Sequence, residues 1–253
     1  MLQLEFEVYK GNKILGKSAI FLVRIPGGHQ QEIYNICLKS VHAYAKKYGI
    51  DLFIIEKKEI NFIHSKLEKF QFLKIFSKGY ERVLVMDSDI LITPNALNIF
   101  DVYNNTSIMY ALEENFSKDK KLNRDPLICQ ILKGLREKIE WPKNNKNKYR
   151  FFNSGVMIIG NKFHSIFENI KSVPQISGMF DPFKDNTVIN YLIVKNKIPF
   201  KPLDYSWNRM DFFIRDPTNE RYKANFIHYA GLGYASPGNK LALVKKDFEA
   251  LYK

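Results

Sequence analysis

VLVMDSDILIT, residues 83–93, is a short apolar run that breaks into two carboxylates one residue apart. Its four leading residues, Val83, Leu84, Val85 and Met86, predict a short central strand. Alternate side chains of a strand share a face, so Asp87 and Asp89 are expected to project together from its carboxyl end. Two carboxylates on one face make a cation site. Their hard oxygens suit Mn2+ or Mg2+, and a substrate's phosphates can complete the coordination shell. An Asx turn that only caps a strand is the alternative reading of the same letters. Position favours the cation, because ligands of open α/β sheets bind beyond the carboxyl ends of the strands.

Outward from this stretch the chain alternates. Residues 19–25 (AIFLVRI) predict a core strand closed by Pro26, Gly27 and Gly28. Ile33, Ile36, Cys37, Val41, Tyr44 and Tyr48 then keep a helical period that Gly49 stops. Residues 51–56 predict a second strand, 65–77 a second helix and 82–86 the third strand, and this order implies a doubly wound, mostly parallel α/β sheet. Residues 108–112 predict a further strand ending at Glu113 and Glu114. Residues 151–159 (FFNSGVMII) predict another, interrupted at Asn153, Ser154 and Gly155; a glycine there marks close approach of a ligand or of backbone, and packing alone is the alternative. A helix over 185–194, an aromatic-rich segment around Tyr205, Trp207 and Asn208, a short strand over 226–229 and a helix over 241–252 follow. Residues 1–17 read as an appendage or hairpin and 18–253 as one domain.

At 253 residues, with 45% hydrophobic and 14% aromatic content, the chain can bury a substantial core. Its net charge is +13, from 39 Lys+Arg against 26 Asp+Glu, so acidic partners are expected: nucleotides, nucleic acid, anionic glycans or a membrane surface. Only Cys37 and Cys129 occur, without metal-ligand spacing, which argues against a zinc site and a disulfide scaffold and favours a reducing, cytoplasmic setting. No apolar run approaches the ~20 residues that span a bilayer. Peripheral membrane contact remains compatible with the charge.

The charge is concentrated. Residues 115–150 hold 11 Lys+Arg against 4 Asp+Glu, a net +7. A helix is expected over about 127–140, followed by a mobile Lys/Asn-rich loop, PKNNKNKYR (142–150). The segment reads either as a solvated helix face with a flexible connection or as a basic acceptor-side insertion that closes over a site.

Taken in order, SKLEKFQFLKIF (65–76), YERVLVMDSDILIT (80–93), FFNSGVMIIGNKF (151–163), FKDNTVINYLI (183–193) and FIHYAG (226–231) resemble the GT-A nucleotide-sugar glycosyltransferases, and within them glycosyltransferase family 8, the retaining galactosyl- and glucosyltransferases. The resemblance covers roughly residues 19–231. It implies a GT-A fold, a nucleotide-sugar donor, foremost a UDP-sugar, a glycan or other hydroxyl acceptor, a hexosyltransferase activity and a retained anomeric configuration. It implies that Asp87 and Asp89 bind Mn2+ or Mg2+ and through it the donor diphosphate, that His228 is the third protein ligand, and that Ser88 and Gly231 lie against the donor. By the same resemblance Lys66 is the basic residue near the donor, Asn153 and Ser154 face the donor sugar, and Asp185 and Asn186 stand beside the reacting carbon. Three positions depart from the family: Asn186 replaces a glutamine, Tyr234 replaces a lysine for which Lys240 is the substitute, and Val23, Arg24 and Ile25 do not reproduce the base-binding pattern.

Such a reaction needs a divalent cation to offset charge developing on the departing diphosphate. Two other readings compete. A basic nucleic-acid-binding protein would use residues 115–150, but no nucleic-acid-binding motif accompanies the charge and no such partner is expected. A nucleotidyltransferase would share the paired acids and the metal, but Pro26, Gly27 and Gly28 only weakly echo its glycine-rich phosphate loop.

Overall fold

The structure, a computed structural model, describes residues 7–9, 18–25, 30–58, 65–114, 124–134, 138–168, 184–210, 220–230 and 237–253. Its strands are β1 (Glu7–Tyr9), β2 (Ser18–Val23), β3 (Asp51–Ile55), β4 (Arg82–Met86), β5 (Ile90–Ile92), β6 (Met109–Glu113), β7 (Phe152–Gly160), β8 (Phe200–Pro202) and β9 (Phe226–His228). Seven of them form one sheet in the order β1-β3-β2-β4-β7-β6-β8, while β5 and β9 pair apart from it. Strands β2, β3, β4, β6 and β8 run one way, and β1 and β7 run against them. The sheet is therefore mostly parallel, as expected. The antiparallel β7, wedged between β4 and β6, was not expected, because a strand buried on both faces carries no sequence mark of its direction.

Side chains alternate between two covered faces. On one face Ala19, Phe21, Val83, Val85, Met157 and Ile159 pack with Phe70, Phe72 and Ile75 and with Val188 and Leu192 of the helix Lys184–Lys195. On the other face Ile20, Leu22, Leu84, Met86, Val156 and Ile158 pack with Val41 and Tyr44 of the helix Gln30–Tyr48, and with Trp207 and Phe226. Double coverage is why the strands read as unbroken apolar runs.

The helix expected over 65–77 is a 3-10 helix, Ser65–Phe72, that turns α-helical only over Leu73–Phe76. The helix expected over 127–140 occupies Asp125–Gly134, and residues 138–140 are not helical. The Lys/Asn-rich run behind it is a closed turn. Asn144 Oδ1 accepts the backbone N–H groups of Lys146 and Lys148 at 3.0 and 3.1 Å, Lys143 bridges to Tyr149, and Asn147 takes the left-handed φ of 57° that asparagine tolerates. Asn144 thus supplies the turn's side-chain hydrogen bonds and Asn147 its left-handed residue. Residues 115–123 lie outside the described residues, as does most of the expected appendage, whose Glu7–Tyr9 adds an edge strand to β3. Among the described residues, no helix is long and apolar enough to cross a membrane.

Candidate functional site

Asp87 and Asp89 do not continue a strand: β4 ends at Met86, a turn holds residues 88–89, and β5 begins at Ile90. Their convergence comes from pairing. Strand β5 runs antiparallel to β9 with Ile90 opposite His228, and Tyr229 N–H donates to Asp89 O at 3.0 Å. Asp87 N–H donates to Gly155 O at 2.8 Å, which ties the turn to β7. His228 Nε2 thus lies 3.6 Å from Asp87 Oδ2 and 3.4 Å from Asp89 Oδ1. Those gaps are long for hydrogen bonds. One atom from each of the three side chains lies within 4.8 Å of the others, close enough for one cation to be shared.

The other oxygen of each carboxylate is held by a lysine. Lys69 Nζ sits 2.7 Å from Asp87 Oδ1, and Lys240 Nζ sits 2.7 Å from Asp89 Oδ2. Lys69 also reaches Asp185 Oδ2 at 2.7 Å and Ser154 Oγ at 3.0 Å. Burial favours loss of the Lys69 proton, but Asp185 and Asp87 outweigh it and hold the ammonium above its ordinary range. Burial likewise works against an ionised Asp89, and His228 and Lys240 nonetheless hold that carboxyl well below its ordinary range. Asp89 is therefore held as a carboxylate, and each aspartate turns one oxygen to the same point.

A bulge in β7 completes the cluster. Pairing with β6 jumps from Ala111 opposite Met157 to Leu112 opposite Asn153, so residues 154–156 have no partner on β6. The helix Lys184–Lys195 braces the strand here: Asn186 Oδ1 accepts Ser154 N–H at 2.6 Å within the bulge, and Asn190 accepts Phe152 N–H and donates to Phe152 O, both at 2.8 Å, just before it. Gly155 is required because a Cβ there would lie 2.4 Å from His228 Cε1 and 2.7 Å from Nδ1. Behind the imidazole, Nδ1 meets Asn208 Oδ1 at 2.8 Å, Asn208 Nδ2 donates to Asn153 Oδ1 at 2.9 Å, and Asn153 Nδ2 donates to Glu114 Oε1 at 2.8 Å. Arg124 Nε reaches Glu114 Oε2 at 2.6 Å.

Asp87, Asp89, Asn153, Ser154, Asp185, Asn186, His228 and Lys240 are thus brought into one cluster. Ser88 lies on its rim, where Tyr34 hydrogen-bonds it; burial and then Asp89 push the Tyr34 hydroxyl up to about 12. The Lys66 side chain and Gly231 lie outside the described residues. Lys69, one helical turn further, fills the role of a basic partner to the aspartates. Lys69, Asn208, Glu114 and Arg124 were given no site role from sequence because their partners lie 10 to 116 residues away. Only the spacing of Lys66 and Lys69, three residues apart on one helix face, hinted at the first.

No protein-family model matches the chain, and no curated protein matches it in sequence. Solved structures do match in fold. A glycosyltransferase involved in the glycosylation of the major capsid of PBCV-1 superposes with a TM-score of 0.60 at 16% identity, covering 90% of this chain and 98% of its own. The galactosyltransferase LgtC, solved with donor and acceptor sugar analogues, gives 0.53 at 14% identity over 93% and 96%. Mouse xyloside xylosyltransferase 1 gives 0.51 at 12% identity over 83% and 96%. The chain has the GT-A fold of these glycosyltransferases.

Proposed function

We propose that this chain is a metal-dependent glycosyltransferase that moves a hexose from a nucleotide-diphosphate sugar, foremost a UDP-sugar, to a hydroxyl of a glycan or similar acceptor with retention at the anomeric carbon. One observation carries the reading: Asp87 Oδ2, Asp89 Oδ1 and His228 Nε2 converge beyond the carboxyl end of β4, in a GT-A sheet. Two carboxylate oxygens and one imidazole nitrogen suit Mn2+, and Mg2+ with less preference for the nitrogen. When bound, the cation supplies Lewis acidity that offsets charge on the departing diphosphate.

The chain's own groups do the rest. Lys69 and Lys240 hold the two aspartates in place and leave the cluster of Asp87, Asp89 and Asp185 with two ammonium groups against three carboxylates, a balance that a divalent cation turns positive for a diphosphate. Asp185 and Ser154, joined at 2.7 Å, form the wall on the sugar side, with Asp185 able to stabilise positive charge at the anomeric carbon. Asn186 spends its oxygen on Ser154 N–H, so its part is to hold that wall.

A thermal-shift panel of nucleotide sugars, with and without Mn2+, tests the proposal, since a ligand stabilises only the state that binds it. Stabilisation by one nucleotide sugar that needs Mn2+ is expected. No response to any member of the panel would sink it.

A further inference from the structure

The polar chain behind His228 can be oriented one bond at a time. The Gly155 backbone N–H can only donate, and it lies 2.8 Å from Asn153 Oδ1, so that atom is the amide oxygen. The Asn153 NH2 then faces Glu114 Oε1, and reversing the amide would set oxygen against carboxylate and NH2 against N–H. With that oxygen fixed, the Asn208 atom 2.9 Å from it must be the donor Nδ2. Asn208 is left presenting its oxygen to His228 Nδ1 at 2.8 Å, and an acceptor there requires a hydrogen on Nδ1. Glu114, Asn153, Asn208 and His228 are all buried, Asn208 completely, so a reversed amide would stay unpaired at a cost.

We infer that Asn208, oriented through Asn153 by the Glu114 carboxylate, is a positioning residue that keeps the His228 ring in its Nδ1–H form, with the Nε2 lone pair turned toward Asp87 and Asp89 for a divalent cation. The opposite tautomer would place an N–H in the cation's position. The inference rests on the metal reading above and goes beyond it by assigning the choice of ligating nitrogen to Asn208, which is not among the three candidate ligands. Partners of this kind, which fix a ligating imidazole, are worth about 10–100-fold in metal affinity.

Two measurements on the full chain test it. Nitrogen-15 spectra of the histidine rings, recorded metal-free at about pH 9, above the ordinary histidine range, and again with diamagnetic Cd2+, should show His228 protonated on Nδ1 and bare on Nε2. A proton on Nε2 with Nδ1 bare would overturn the inference. Calorimetry should show Mn2+ binding weakened about 10–100-fold in Asn208→Leu, and binding equal to wild type by a folded Asn208→Leu would overturn it too. If that variant does not fold, the wild-type spectra decide alone. Wild-type protein that bound neither Mn2+ nor Cd2+ would refute the metal reading, while the metal-free spectra would still uphold or refute the tautomer.

Discussion

At the scale of single residues, the cluster separates groups that offer ligand atoms from groups that hold them. Asp87 is paired with Lys69, but Asp185 and Ser154 also hold that lysine, so Asp87→Asn should leave stability nearly unchanged while lowering transfer about 100-fold or more. Steady-state rates beside urea melts check this, and near-wild-type metal-dependent turnover would remove Asp87 from the site. Gly155→Ala should do the opposite kind of damage. Its Cβ would press on the His228 ring and on Asn153 Oδ1, so a loss of about 1–3 kcal/mol should accompany weakened Mn2+ binding. The paired aspartates were legible because charge ends an apolar run abruptly, and His228 because its motif follows in family order. Lys69 and Asn208 were not, since a polar residue in a mixed stretch reveals burial only when its distant partner is known.

At the scale of elements, the β7 bulge and the helix Lys184–Lys195 act as one unit. Asn190 bonds both backbone groups of Phe152 just before the bulge and also donates to Asn186 O at 2.7 Å. Asn190→Leu would strand those buried backbone groups, each costing about 1–3 kcal/mol, so an overall loss of about 2–4 kcal/mol is expected in denaturant melts. A loss below 1 kcal/mol would mean that the bulge finds other partners. The sequence showed that the strand was interrupted at 153–155, since a glycine beside two polar residues breaks the alternation. It could not show that the strand runs antiparallel or that a helix side chain stands in for a neighbouring strand, because both depend on tertiary register. Asp87 and Asp89 meet for a reason different from the one their spacing suggested: the β5–β9 pairing, not strand alternation, aims them at His228.

At the scale of the whole molecule, the core strands and their two covered faces were legible as apolar runs, the order of the strands was not, and the last helix, Pro237–Tyr252, anchors the far side of the site. Its Asp247 is fully buried and accepts from Arg221 Nε and Nη2, Tyr222 and Tyr229, all at 2.8 Å, and Tyr229 adjoins His228. Asp247→Ala should cost about 3–5 kcal/mol by leaving the Arg221 charge unpaired, as chemical denaturation would register. Stability should also follow pH through the site itself. The folded Asp89 carboxyl titrates below its ordinary value, so its contribution is full above about pH 4 and is lost as pH falls toward the folded value. Metal-free Asp89→Asn should therefore show a shallower acid limb than wild type in melts between about pH 4 and 2; parallel limbs would count against that pairing.

If Asp87, Asp89 and His228 hold a cation which a nucleotide-sugar diphosphate completes, calorimetric titration of UDP-sugars into the protein in Mn2+ and in a chelator will separate the two conditions. Binding should require Mn2+, each ligand should tighten the other by the same factor, and His228→Ala should lose that dependence. Equal affinity for the donor in Mn2+ and in the chelator would contradict such a site.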